Sequence, residues 1–121
     1  MRLSECIEAV NREKPNGFET EDLTRYVNEI EAVVSEYLEI PKDDRPEYDW
    51  KEDGHKTMLV PAPYDVLYLS FLKAKIDYAN EEYESYSNNQ AQFEEDLDEW
   101  KKYVVRCGGD QTGSPQIRNW W

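Results

Sequence analysis

Histidine, cysteine and glycine are scarce in this sequence: His55 stands alone, Cys6 and Cys107 are the only thiols, and there are five glycines. Zinc sites want clustered Cys and His, and an activated nucleophile needs a base beside it, so neither chemistry has its residues here. His55 lies between Gly54 and Lys56 in a charged stretch and reads as an exposed loop residue. No Gly-rich phosphate loop is present. The acids between Asp43 and Gly54 lack the alternating spacing and late Glu of a calcium loop. Catalytic, metal and cofactor residues are therefore expected to be absent, and the protein is expected not to be an enzyme. Cys6 falls on an apolar stripe, which favours two reduced thiols, although one disulfide is also compatible with the sequence.

Long apolar runs are lacking too. None approaches the roughly 18 residues that a membrane span requires. Glu5 and Glu8 interrupt Met1 to Val10, so no signal-peptide pattern is seen there. A soluble protein retained where it is made is expected. Basic residues are outnumbered, 14 against 27 acidic, for a net charge of -13. Such a field argues against binding duplex DNA or an anionic membrane through a basic footprint.

What is present suffices for a fold. Hydrophobic residues make up 39% and aromatics 13% of 121 residues, enough apolar surface for one domain with one core. Leu3, Ile7 and Val10 step at helical spacing before Lys14, Pro15, Asn16 and Gly17. Thr20 suits an N-cap, and Leu23, Tyr26, Val27, Ile30, Val34, Tyr37 and Leu38 follow on one face. Pro63 then introduces an apolar run from Val66 to Ala79, predicted to be the buried centre. Tyr86, Gln90, Phe93, Leu97, Trp100 and Val104 form a heptad-like seam that Gly108 and Gly109 should end. The prediction is all-α: a four-helix bundle-like domain over 1–107 with helices at about 3–13, 21–39, 64–80 and 83–106. A long loop, 40–63, joins the second and third helices, with Thr57 to Val60 as a short extended segment. Residues 108–121 read as a flexible C-terminal arm ending in Trp120 and Trp121.

Charge is unevenly placed. From Asp77 to Trp100 there are nine acids and no Lys or Arg: Asp77, Glu81, Glu82, Glu84, Glu94, Glu95, Asp96, Asp98 and Glu99. A face of one sign belongs in solvent, against a basic partner, or on a wall that nucleic acid passes without sticking. Of these the plain solvated face needs no further assumption. The aromatic stripe Tyr68, Tyr78, Tyr83, Tyr86, Phe93 and Trp100 reads as helix packing rather than a ligand cage.

The run Met58-Leu59-Val60-Pro61-Ala62-Pro63-Tyr64, with Asp65, Leu67 and Tyr68, precedes Ile76, Asp77, Tyr78, Asn80, Glu82, Tyr83, Tyr86, Asn88, Asn89 and Phe93. This spacing resembles a family of small head-tail connector, or adaptor, proteins of tailed bacteriophages and prophages. The opening, with Ile7, Val10, Lys14, Pro15 and Asn16, is also similar, and together the stretches cover most of residues 3 to 105. The resemblance implies a structural subunit that assembles as a homo-oligomeric ring, a dodecamer, beneath the phage portal. Such a ring contacts head-completion or tail proteins and lines an exit channel through which DNA passes without being specifically bound. It also implies the host bacterial cytoplasm during assembly and the virion head-tail junction afterwards, with no membrane. Leu59 to Tyr64 would be the extended segment, and Asn88, Asn89 and Phe93 the start of the outer helix. Glu81 stands where the family pattern has Gly after Asn80, and the terminal Trp pair is not part of that pattern.

The expected subunit-contact residues are Tyr48, Trp50, Met58, Leu59, Val60, Trp120 and Trp121, with tryptophan a frequent interface anchor. Two rivals come from other classes. An acidic regulator mimicking DNA would occupy the basic groove of a host or phage protein, and a carboxylate-bound metal would make an enzyme.

Overall fold

Helical spacing of apolar side chains, more than propensity, decides where this chain coils, because packing supplies most helical stability. The computed structural model describes residues 1–110, with side chains through Cys107. It contains α1 (Leu3–Glu13), α2 (Thr20–Tyr37), α3 (Trp50–Asp53), α4 (Val66–Ala79) and α5 (Tyr83–Asp110), with one 3-10 turn at Lys42–Asp44. Among the described residues there is no strand, and the class is all-α.

The apolar stripes meet as their spacing requires. α1 buries Leu3, Cys6, Ile7 and Val10, and α2 buries Leu23, Val27, Ile30 and Val34. α4 packs against α1, α2 and α5, and Leu67, Tyr68, Leu72 and Ile76 are fully enclosed. Along α5 the seam closes through Phe93, Trp100 and Val104, with Phe93 against Phe71 and Trp100 against Tyr37. Each enclosed Leu, Ile or Val stabilises the fold by about 1.5–3 kcal/mol relative to exposure. Cys6 and Cys107 are both free. Burial, reinforced by Asp65 and Glu31, pushes the Cys6 thiol up to about 12, so it stays protonated and inert.

Several boundaries differ from expectation. Thr20 lies inside α2 and Glu19 precedes it, its amide donating to the Asp22 carboxylate at 3.4 Å. α4 starts at Val66 because the preceding residues are spent on a turn in which the Tyr64 amide donates to the Pro61 carbonyl. α5 runs through Gly108 and Gly109 to Asp110, since glycine weakens a helix by only about 1 kcal/mol and does not forbid it. In the loop, α3 is one turn long, too short to show periodicity, and is started by the Asp49 carboxylate accepting from the Lys51 amide. Thr57 to Val60 does not make a strand: only Thr57 pairs, in an isolated bridge with Arg2. The next two free amides, of Leu59 and Val60, bond to side chains instead.

α2 and α4 end alike. At each C-terminus a Glu takes the left-handed conformation, Glu39 at φ 56° and Glu81 at φ 59°. Ile40 donates back to the Ser35 carbonyl and Glu82 to the Asp77 carbonyl, the hydrogen bonds of a Schellman cap. Both glutamates make this sharp turn against the steric cost of their Cβ atoms.

Candidate functional site

The acidic stretch divides once it is folded. Glu81, Glu82, Glu84, Glu94, Glu95, Asp98 and Glu99 are exposed. Asp96 is half-buried and accepts from Ser70 Oγ and Gln92 Nε2, each at 2.9 Å. Asp77 does not belong to the face: its side chain is fully buried. It sits on the α4 side that meets α5, whereas Tyr78, one residue on and rotated by about 100°, points out and Glu81 lies beyond the helix end in its left-handed turn. Two cation pairings modify the face, Lys14 with Glu82 and Lys102 with Asp98 and Glu99.

Of the expected contact residues, Tyr48, Met58 and Val60 lie in the chain's own core. Trp50 and Leu59 are half-buried against that core. Trp120 and Trp121 lie outside the described residues. The surface of this single chain therefore offers only Trp50 and Leu59 of the loop set.

What holds the loop inward is Glu31, which the sequence reading passed over. Its carboxylate, on α2 and fully enclosed, accepts from Tyr48 Oη at 2.7 Å, from the Leu59 amide at 3.0 Å and from Tyr68 Oη. Tyr68 Oη in turn accepts from the Val60 amide at 3.0 Å. One carboxylate thus ties two separate points of the loop, Tyr48 and Leu59–Val60, to α2 and α4. Asn28 adds a second tie, donating to the Tyr48 carbonyl at 3.0 Å and accepting from its amide at 2.8 Å. Burial raises the Glu31 carboxyl, and the three hydrogen bonds oppose this only in part. Both tyrosines are pushed up, first by burial and then by Glu31, so they remain donors. A signal existed: Glu31 follows Val27 by four residues and precedes Leu38 by seven, inside the apolar stripe.

Asp77 anchors the second cluster. Lys14, just beyond α1, pairs with it and also reaches Ser85 Oγ at 3.2 Å and Glu82 at 3.4 Å. Ser85 Oγ and Asn89 Nδ2 donate to the other Asp77 oxygen at 2.8 and 2.6 Å. Burial would raise this carboxyl, but the Lys14, Asn89 and Ser85 hydrogen bonds outweigh it and hold it below the usual range. The cluster fixes the α4–α5 corner onto the end of α1.

Neither cluster is arranged as a catalytic pair. Glu31 is enclosed beneath the loop, and Asp77 is enclosed and ion-paired with Lys14. His55 is exposed. Among the described residues, no three His, Cys, Asp or Glu side chains converge as a metal site would need. No described helix is long and apolar enough to cross a membrane. Compared with protein-family models, curated proteins and solved structures, the chain matches none.

Proposed function

We propose that this protein is a structural subunit of a phage head-tail connector, with four long helices and a pinned loop, assembling as a dodecameric ring beneath the portal. In that reading it joins head to tail and lines the channel through which DNA leaves, working in the host cytoplasm during assembly and at the virion junction afterwards. No chemistry is assigned to it. The observation that carries the reading is the exposed acidic surface of α5, which bears Glu94, Glu95, Asp98 and Glu99 with no Lys or Arg of that helix before Lys101. Among the described residues Lys102 is the one cation paired on that surface, and Asp98 and Glu99 already hold it, so passing phosphates find little counter-charge. Support also comes from where the family-like residues fall. Leu59, Val60 and Tyr68 join the Glu31 cluster, and Lys14, Asp77, Glu82 and Asn89 make up most of the Asp77 cluster, so the resembling positions are those that shape the subunit.

The test is the mass in solution, by light scattering across concentration, alone and mixed with the cognate portal protein. A large closed oligomer, alone or only with portal, is expected. A single-chain mass under every condition would contradict the ring and favour an acidic regulator that binds a basic protein.

A further inference from the structure

α5 carries opposite charge at its two ends. At its start, the corner with α4 bears Glu81 and Glu84 around an exposed tyrosine group. Tyr78 and Tyr83 are 61% and 58% exposed, and Tyr78 meets Tyr83 and Tyr86 edge-on at 6.1 and 5.3 Å. At the other end Lys101, Lys102 and Arg106 gather in six residues of a strongly acidic chain. With Tyr37 and Val105 they line a groove of about 400 Å³, and Val105 is 53% exposed.

We infer that the basic groove at the end of α5 in one copy docks on the acidic, tyrosine-bearing α4–α5 corner of a second copy of this chain. Each surface supplies what the other lacks. Guanidinium and ammonium groups are attracted both to tyrosine faces and to carboxylates, and Val105 gains apolar cover. Glu84 and Val105 are about 32 Å apart along one helix at 1.5 Å rise per residue, and the two surfaces are unlike. The contact is therefore head-to-tail, the kind that closes into a ring when the rotation allows. A nucleic-acid occupant fits worse, because a chain of net charge -13 repels a polyanion. Repulsion between two such chains is screened beyond about 8 Å at physiological salt, which leaves the local pairing to act. The inference deepens the ring reading and rests on it for closure.

The test uses the full chain in sedimentation velocity at ~0.15 M salt. Lys102 is left alone because Asp98 and Glu99 already pair with it, and Glu82 because it holds Lys14. K101E/R106E and E81K/E84K should each weaken self-association by about tenfold or more with unchanged helical circular dichroism, although K101E/R106E also gives up the contacts of Lys101 with the Tyr37 ring and of Arg106 with Tyr64 Oη. Mixing the two variants should restore assembly, since each then offers the sign the other needs. Variants that assemble as wild type does would overturn this contact while the ring reading stands. A wild-type chain monomeric up to millimolar concentration would also overturn it, and the ring reading would then rest on the mixture with portal. Duplex DNA bound by wild type and lost in K101E/R106E would overturn it in favour of a polyanion site.

Discussion

Glu31 and Asp77 are both fully enclosed carboxylates, yet the chain holds them in opposite ways. Glu31 is met only by neutral donors, two tyrosine hydroxyls and a backbone amide, and its carboxyl is raised by burial. Asp77 is met by the Lys14 ammonium as well as two neutral donors, and these overcome burial and lower it. Neutral hydrogen bonds offset the desolvation of a charge in part, whereas an added cation reverses the balance. Each acid secures a different piece of the proposed assembly surface: Glu31 the loop with Trp50 and Leu59, Asp77 the corner with Tyr78, Tyr83 and Glu84.

The largest effect should come from breaking the charged cluster. K14A leaves Asp77 buried beside neutral donors only, and a loss of about 3 kcal/mol is predicted, read by urea unfolding. It should also loosen the corner and so weaken assembly. On the neutral side, Y68F removes one donor to Glu31 and the acceptor of the Val60 amide, for a predicted loss of about 2 kcal/mol. A loss near zero would mean that Tyr68 does not bridge loop and α2.

E31Q and D77N sharpen the contrast through pH. A carboxyl raised in the fold favours the protonated native state. Its contribution is complete below the unfolded value near 4.5 and is lost as pH rises through the folded value. E31Q should therefore gain on wild type as pH increases from 4.5 toward neutrality. Asp77 behaves in reverse. Its stabilisation is present above 3.8 and lost as pH falls through the lower folded value, so D77N should be most damaging near neutrality and least in acid. Unfolding free energies of the three proteins between pH 3 and 8 check both signs. The smallest effect concerns the helix ends: E81G and E39G should each raise stability by about 0.5–1 kcal/mol by relieving the left-handed conformation, measured by thermal melting.

The long helices were legible because their apolar residues repeat at helical spacing, as Leu3–Val10, Leu23–Leu38 and Phe93–Val104 show. Charge was less legible. Counting signs from Asp77 to Glu99 groups Asp77 with its exposed neighbours, although a single step along α4, from Asp77 to Tyr78, separates a core position from a solvent one. Glu31 was hidden by the abundance of acids around it, and only its place in the stripe of α2 marks it. The Thr57–Val60 segment looked like a strand because it is uncharged and bounded by prolines. Local pattern does not show that the Leu59 and Val60 amides are claimed by side chains 28 and eight residues away.

The opposed treatment of the two acids is tested most directly by carbon-13 NMR titration of the Glu31 and Asp77 side-chain carboxyls in the folded protein. Glu31 should titrate above 4.5 and Asp77 should stay ionised below 3.8. A Glu31 carboxyl that titrates at or below 4.5, or an Asp77 carboxyl that titrates above 3.8, would contradict the account.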